Sequence, residues 1–417
     1  MKRQYGITVF LIVTAILFST FALACGEQKA AQPQQTGPVV IKVGLPTALS
    51  GPAAPWGQAG IDYYNAWIDL FNKEGFKIGD KTYNFQLITV DDESTPEGGA
   101  AAAKQLIYSD GCKALAGHWT WNYPTVSAVS NAAKVLLFTR TGNEAVPGGV
   151  YDPKTQPYTV FANPSHQQYL SDCLALVKAY PNYKRIGILD SNLGKGIGWD
   201  YIDQSLDAAG IRYHHEWFPP ATVDFTPYIT KYAEAGCDII YSGGDITSPM
   251  LVAKQRMEMG YKDWHVGHAG PFVDPAIYLA VCGYEAAQGF LGQYWCNWEF
   301  KDTKVNPKYI TMCQEVEKMV NDKRGGKSYV YTGWIGWLPS HLLIYSQAME
   351  KAGTVDDPDA IMKAIRGGTF DSTTGKWTMS GAKTYGSPVV FGCPGCICQI
   401  QGEKEVYLSE SAMAPIP

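Results

Sequence analysis

The chain has 417 residues, of which 18% are charged and 46% apolar, and its formal net charge is −5. The length allows one to three globular domains, and the composition is that of an ordinary globular protein. Because the chain has no long basic run, it offers no electrostatic basis for nucleic-acid binding.

The amino terminus has the layout of an export signal. Lys2 and Arg3 precede an apolar run over residues 7–23, and small residues precede Cys25. We therefore predict a signal peptide over residues 1–24, with an uncleaved membrane anchor as the alternative. The stretch ALAC, which ends at Cys25, resembles a bacterial lipoprotein cleavage box, in which the cysteine becomes lipidated. The polar residues 25–38 predict a flexible tether, and no later segment is apolar for long enough to span a membrane.

Nine further cysteines have to be assigned, and an exported protein can keep disulfides. They are Cys112, Cys173, Cys237, Cys282, Cys296, Cys313, Cys393, Cys396 and Cys398. A zinc site needs about four ligands, usually in two separated pairs. The CPGCIC stretch has no such second pair, and the adjacent His214 and His215 should point to opposite sides of a strand. We expect a local disulfide or buried thiols in this stretch, and neither a metal nor another cofactor.

From residue 39 onward, short apolar runs alternate with helical patterns. The runs VVIKVGLP, YNFQLITVDD, CKALAG and VLLFT predict strands. The helices between them include one that begins after Ser94 or Thr95, with Pro96 in its first turn. This rhythm predicts a parallel sheet with helices on both faces.

The rhythm starts again near Phe161. YKRIGILD, IRYHHEWF, CDIIYSGG and DWHVGHAG predict strands, and Asp224 is a candidate N-cap for the helix after the second of them. Long helices follow Leu291, and TFDSTTGKWTMSG predicts a hairpin with its turn at Thr374 and Gly375. The fold class is therefore α/β, with two doubly wound parallel-sheet units and a ligand cleft between the carboxyl ends of their strands.

Motifs for catalysis are missing or weak. The chain has no nucleophile elbow and no phosphate-binding loop of the P-loop type. The GKGIG stretch over residues 194–198 lacks the spacing of a dinucleotide site and fits close backbone approach at a cleft rim. The acids of VDDE, residues 90–93, could bind a metal or transfer protons, but they fit better as partners of a helix dipole.

Aromatic and polar residues are concentrated at the strand-to-helix turns, where doubly wound folds bind ligands. Trp119 and Trp121 lie two residues apart and share one face, which is either core or cleft. We favour the cleft, since Asn122, Tyr123 and Pro124 break the strand. The other candidates at these turns are Trp56, Arg140, Thr141, Gly142, Asn143, Asp245, Thr247 and His268.

These stretches together resemble the branched-chain amino acid-binding proteins, the type I periplasmic substrate-binding proteins of ABC transporters. The resemblance rests on the ordered series IKVGLPTALSGPAAPWGQAG, LITVDDESTPEGGAAAAKQLIYSDGCKALAGH, YKRIGILDSNLGKG, VDFTPYITKYAEAGCDIIYSGG and AKQRMEMGYK, and it covers roughly residues 39–410. It implies two lobes joined by a three-strand hinge, which close on a ligand. We assign residues 39–160 and 295–368 to the first lobe and residues 161–294 and 369–417 to the second.

The resemblance also implies roles for single residues. Trp56 would line the pocket. Trp119, Thr120 and Trp121 stand where relatives place small hydroxyl donors to the ligand carboxylate. Residues 140–143 stand at the next turn, where Arg140 could grip a carboxylate. In the second lobe, Leu193 replaces a tyrosine, and Ala269 replaces the glutamate that holds the ligand ammonium.

This last departure bears on the ligand. A buried ammonium without a carboxylate partner is costly. Unless Asp245 substitutes for the missing glutamate, we expect a ligand without an α-amino group, such as an aromatic or apolar carboxylate or an amide. The leading hypothesis is a non-enzymatic, monomeric substrate-binding protein that delivers a small molecule to an ABC permease and meets the membrane only through its lipid anchor. A ligand-sensing receptor and an exported α/β enzyme are the alternatives.

Overall fold

The structure of the chain is a computed structural model. It describes residues 37–51, 54–118, 122–139, 151–161, 165–192, 195, 202–243, 247–271, 275–294, 305–325, 339–388, 390–391 and 394–412. The described residues from Val39 onward belong to one compact unit. The predicted signal peptide and nearly all of the predicted tether, including Cys25, lie outside the described residues.

This unit contains two sheets, and strands and helices are numbered here over its described residues. The strands are β1 (Val39–Thr47), β2 (Phe76–Ile78), β3 (Lys81–Asp91), β4 (Ala114–His118), β5 (Leu136–Thr139), β6 (Thr159–Phe161), β7 (Ile186–Ser191), β8 (Tyr213–Phe218), β9 (Ile239–Ser242), β10 (His265–Pro271), β11 (Leu291–Tyr294), β12 (Thr369–Ser372), β13 (Gly375–Ser380), β14 (Val390–Phe391), β15 (Pro394–Gln401) and β16 (Lys404–Ala412).

The helices follow the predicted alternation with the strands. They are α1 (Ala54–Phe71), α2 (Pro96–Lys104), α3 (Tyr123–Ala132), α4 (Ser165–Ala179), α5 (Ile202–Ala208), α6 (Thr226–Glu234), α7 (Thr247–Glu258), α8 (Pro275–Cys282), α9 (Tyr284–Ala287), α10 (Pro307–Lys323), α11 (Ser340–Ala352), α12 (Pro358–Arg366) and α13 (Ala382–Tyr385). A π-helical turn, Gln105–Ser109, continues α2.

The two sheets confirm the prediction of two parallel α/β units. The first has the order β12-β13-β14-β6-β5-β4-β1-β3-β2, and β1, β3, β4, β5, β6 and β14 run parallel within it. The second has the order β16-β15-β11-β10-β9-β7-β8, with β7 to β11 parallel. The chain passes from the first sheet to the second after β6, returns after β11, and passes to the second again after β14.

Helix α11, which follows β11 in the chain, packs on the first sheet. The ring of Tyr345 on α11 lies 6.1 Å from that of Phe85 on β3 and 5.6 Å from that of Phe138 on β5. Large aromatic side chains such as Trp67 and Trp377 are completely buried in the same core cluster. Such rings bury much apolar area and so contribute strongly to stability.

The hairpin near residue 370 belongs to the first sheet, which differs from our assignment of residues 369–417 to the second lobe. Val390 on β14 pairs with Phe161 on β6, and β13 pairs with β14. The chain therefore crosses to the second sheet only between Phe391 and Pro394. The predicted turn is also shifted by one residue, because Ser372 pairs with Gly375.

The two predicted helix N-caps have different outcomes. Thr95 is the N-cap of α2 and its side chain accepts from Gly98 N at 2.9 Å, which confirms one of the two predicted positions. Asp224 does not cap α6, since Phe225 occupies that position. The Asp224 carboxylate instead accepts from Thr226 N at 3.0 Å, one residue before the cap, and still satisfies a donor of the first turn.

Candidate functional site

The carboxyl ends of the parallel strands mark the edge where an α/β sheet binds ligands. In the first sheet these ends are Thr47, Asp91, His118, Thr139 and Phe161. In the second they are Ser191, Phe218, Ser242, Pro271 and Tyr294. The candidate site is built from these strand ends and from the turns that follow them.

Most of the predicted ligand residues lie outside the described residues. These are Trp119, Thr120, Trp121, Arg140, Thr141, Gly142, Asn143, Leu193 and Asp245. The backbone of Trp56 lies in the first turn of α1 rather than in the preceding loop. That these residues meet at one ligand therefore stays a prediction.

His268 and Ala269 lie within β10, inside the strand predicted over DWHVGHAG, so His268 does not lie in the turn after that strand. Successive residues of a strand face opposite sides of the sheet. His268 is buried in register with Ser242 of β9. Ala269 is half-buried and packs against the cluster that contains Tyr169 and Tyr241. The position where relatives would carry a glutamate therefore presents a methyl group to apolar and aromatic neighbours.

The acids of the VDDE stretch order the edge of the first sheet. The Asp91 carboxylate accepts from the backbone N of Leu49, Ser50 and Glu93 at 2.8, 3.2 and 2.9 Å. Burial opposes ionisation, but the hydrogen bonds from Ser50, Leu49 and Glu93 outweigh it and hold the pKa of Asp91 below its usual value. Asp91 thus holds the start of the loop between β1 and α1 in place. This role goes beyond the predicted interaction with a helix dipole.

Asp92 is completely buried and joins β3 to the start of α3. Its two carboxylate oxygens accept from Ser94 N at 2.9 Å and from Asn122 Nδ2 at 2.7 Å. Asn122 directly follows the Trp119–Trp121 stretch. The sequence marked Asn122 only as a strand breaker, so its structural bond to Asp92 was missed.

A second group of polar residues lies on the α4 and α5 side of the second sheet. Asp190, on β7, is completely buried, and its Oδ1 accepts from Gly243 N at 3.1 Å at the end of β9. His215 Nε2 lies 3.1 Å from Asp190 Oδ2, an ion-pair contact without the alignment of a hydrogen bond. His215 Nδ1 lies 2.8 Å from Asp203 Oδ1, on α5. A single imidazole thus contacts two carboxylates.

The two carboxylates determine the charge of His215. Burial disfavours the imidazolium, but contacts with Asp190 and Asp203 outweigh burial and raise the pKa of His215 to about 9. Burial likewise raises the pKa of Asp190, against the opposing effect of His215 and Gly243. The raised pKa of His215 favours the charged imidazolium, which offsets the buried negative charge beside it.

The adjacent His214 points to the other face of β8, as predicted. Its Nε2 lies 3.1 Å from Glu216, and its ring meets that of Tyr232 edge-on. Asp190 and His215 were not among the predicted site residues, although the predicted strand YKRIGILD ends in an acid. Their partners come from other strands and helices, which no local pattern reveals.

Within the described residues, no group of three or more His, Cys, Asp or Glu side chains could hold a metal ion, and no helix is long and apolar enough to cross a membrane.

A surface groove lies apart from the candidate site. Its volume is about 440 Å³, and it is lined by Phe71, Phe76, Tyr309 and Glu350, among others. It lies at the amino end of β3, opposite the candidate site.

The cysteine stretch forms part of β15. Cys396 and Cys398 are buried on one face of that strand, and their Sγ atoms lie 3.8 Å apart, too far for a bond between them. Cys393 and Cys296 lie outside the described residues. Cys112, Cys173, Cys237 and Cys282 are buried thiols.

Comparison with known proteins identifies the family of this chain. The model of a family described as periplasmic binding protein matches residues 40–389. Leu/Ile/Val-binding protein homolog 3 of Brucella melitensis is 25% identical over 356 residues, which cover 84% of this chain and 89% of the relative.

Solved structures share the fold over almost their whole length. A leucine-binding protein from Thermotoga maritima has a TM-score of 0.66 at 16% identity and covers 89% of this chain and 98% of its own. A solute-binding protein of an ABC transporter from R. palustris, in complex with 4-hydroxybenzoate, has a TM-score of 0.66 at 20% identity and covers 91% and 98%.

Proposed function

Because this chain belongs to the periplasmic binding protein family, we propose that it is the substrate-binding component of an ABC importer and binds a small amphipathic ligand between its two lobes. The chain is a periplasmic binding protein of the branched-chain amino acid-binding type, and its place is extracytoplasmic. Its relatives are named as binding proteins, which supports a role in binding rather than catalysis. Three elements of this function are proposals: the permease partner, the interlobe site and the ligand.

Two ligand classes are represented among the relatives. The Brucella relative is named for leucine, isoleucine and valine, and the R. palustris protein holds 4-hydroxybenzoate. Both classes combine a carboxylate with an apolar body. They differ in the α-amino group, which is present in the amino acids and missing from the benzoate.

Ala269 is the observation that carries our choice between these classes. It stands where we align the family's ammonium-binding glutamate, and it packs against the cluster containing Tyr169 and Tyr241. An ammonium buried there would lack its carboxylate. We therefore propose an aromatic or apolar carboxylate, with Arg140 as the carboxylate partner and Trp119 and Trp121 as walls. Trp56, Leu193 and Asp245 complete the proposed lining.

Calorimetric titration with 4-hydroxybenzoate, benzamide, L-leucine and L-phenylalanine tests the proposal. We expect 4-hydroxybenzoate to bind, and a ligand at 100 times its Kd should stabilise the fold by about 2.7 kcal/mol. Arg140→Gln should weaken binding at least tenfold, whereas Lys113→Ala, which removes an exposed ion pair with Asp356, should leave it unchanged. Tight binding of leucine that depends on Asp245 would overturn the ligand class, and no binding of any compound would count against the function.

We further propose that Cys25 carries a lipid anchor and that the protein is a monomer. The export signal and the ALAC stretch support the anchor. Cys25→Ser should move the protein from the membrane fraction to the soluble fraction of the producing cells. Sedimentation of the released protein would then give its oligomeric state.

A further inference from the structure

The imidazole of His215 contacts carboxylates on both sides of one connection. Asp190 lies near the end of β7, before this connection, and Asp203 lies in the first turn of α5, after it. The contacts, 3.1 Å to Asp190 Oδ2 and 2.8 Å to Asp203 Oδ1, tie both ends of residues 191–202 to the middle of β8. The His215 side chain is 6% exposed and that of Asp190 is completely buried, so water screens this pair weakly, whereas Asp203 is 39% exposed and its contact is screened more.

Asp190 extends the same group of contacts to a second strand end. Its Oδ1 accepts from Gly243 N at 3.1 Å, directly after β9. The Tyr169 hydroxyl, on α4, lies 2.8 Å from Tyr241 O and 3.3 Å from Asp190 Oδ1. It can donate its one proton to either oxygen. The Gly243 N–H also donates to Leu189 O at 3.0 Å, so the Asp190 carboxylate adds a side-chain contact to the backbone pairing of β7 and β9 at their ends.

We propose that Asp190 and His215 are positioning residues for ligand binding, which hold the ends of β7 and β9 where the second lobe meets its ligand. This inference rests on the proposed function. Leu193 follows Asp190 by three residues, and Asp245 follows Gly243 by two. A displaced strand end would therefore move the start of each stretch that carries a candidate ligand residue.

The charge of His215 makes this arrangement possible. A neutral imidazole has one N–H and no charge, whereas the imidazolium can donate to Asp203 and at the same time attract the carboxylate of Asp190 as an ion pair. The groups that face His215 and Asp190 come from every neighbouring element, and most of them are acidic or neutral. They are Asp203 on α5, Trp217 on β8, Tyr169 and Cys173 on α4, and Tyr232 on α6. Lys195 Nζ lies 5.1 Å from the Trp217 ring, which stacks on His215.

Binding by His215→Gln and by a matched control tests the proposal. Glutamine keeps polarity but cannot carry the charge. His214→Gln changes the neighbouring residue of the same strand, whose side chain points to the other face and is 35% exposed. With 4-hydroxybenzoate as the probe, or L-leucine if only that binds, we expect the Kd at pH 7 to rise at least tenfold in His215→Gln. It should change less than twofold in His214→Gln.

The pH profile distinguishes positioning from a general loss of stability. In the unchanged protein, affinity should fall between pH 8 and pH 10 in parallel with the NMR titration of the His215 ring. In His215→Gln this fall should be missing, and only the change caused by the phenol of the probe, which ionises in the same range, should remain. Asp203→Asn, which keeps the imidazolium and its contact with Asp190, should weaken binding only about threefold. An unchanged Kd in His215→Gln, or an equal loss in the His214 control, would overturn the proposal.

A measurement without ligand separates this inference from the proposed function. Hydrogen exchange of the Gly243 amide reports on the end of β9 directly. We expect it to be at least tenfold faster in His215→Gln than in the unchanged protein, and unaltered in His214→Gln. If neither probe binds but Gly243 responds in this way, the proposed function fails and the positioning of the strand end stands. Equal exchange in all three proteins overturns the positioning.

Discussion

Asn122 donates a hydrogen bond of 2.7 Å from Nδ2 to Oδ2 of Asp92, and both side chains are completely buried. The bond links the end of β3 to the start of α3. It therefore fixes the carboxyl side of the stretch that contains Trp119 and Trp121. A polar pair buried this deeply is costly to break, because the remaining group has no water to replace its partner.

Asn122→Asp should destabilise the protein in a pH-dependent way. The new carboxylate would lie against Asp92, so the folded-state pKa of one of the two acids rises. The folded state then binds a proton that the unfolded state has lost, and stability falls as the pH rises through that pKa. Urea unfolding should show a loss of about 2–4 kcal/mol at pH 8 and a smaller loss at pH 5. Asn122→Ala is the control, and we expect it to cost about 1–3 kcal/mol at both pH values; an equal loss for Asn122→Asp at both would contradict the interpretation.

Gly57→Ala should be destabilising although Gly57 lies in a helix. A methyl group there would overlap the backbone oxygen of Ala48 and lie 3.0 Å from Thr47 Oγ1. Backbone cannot move aside as a flexible side chain can, so overpacking of about 1–3 kcal/mol should exceed the gain in helix propensity, which is about 1 kcal/mol. Gly367→Ala is the control, because its methyl group would meet only Lys363 O at 3.6 Å. Thermal unfolding of both variants checks this, and a stabilised Gly57→Ala would show that the close approach is not real.

Three buried thiols should resist alkylation in the native protein. Burial raises the pKa of Cys112 to about 11 and those of Cys237 and Cys282 to about 12. The thiolate is the reactive form, and little of it exists at pH 8. Iodoacetamide at pH 8 should therefore leave these residues unmodified for an hour, as mapped by peptide mass spectrometry. The same treatment in 8 M urea is the control and should modify all three; rapid native labelling of any of them would contradict its burial.

The fold was predictable because its signals are local. Apolar runs of strand length alternate with helical patterns, and the pair Thr95 and Pro96 marks a helix start in the sequence itself. The hairpin at Thr369–Ser380 was also visible, but its sheet was not. Its position depends on the pairing of Val390 with Phe161, residues far apart in the chain. The same limit hid the contact of His215 with Asp190 and Asp203, since strand pairing and helix packing bring these three together.

The ligand candidates depend on a different kind of information. Trp119, Arg140 and Asp245 were chosen by their place after predicted strands and by resemblance, and they lie outside the described residues. The strands before them end within two residues of the predicted positions. The described neighbours of these turns, Asn122 and Gly243, show how each edge is fixed, but which side chains meet the ligand stays a prediction for the binding experiments.

Stability should fall as the pH rises from 7 to 10, and His215 should account for part of this fall. Its folded-state pKa of about 9 lies above the ordinary value of 6.5. The contribution of the imidazolium is fully present below pH 6.5 and is lost as the pH rises through about 9. We expect a loss on the order of 2 kcal/mol from this group. The buried thiols act in the same direction, so the comparison must be between variants. Urea unfolding at pH 7 and pH 9.5 should show a smaller pH-dependent loss in His215→Gln than in His214→Gln, which keeps the His215 pair. Parallel losses in the two variants would mean that the His215 imidazole is already neutral at pH 7.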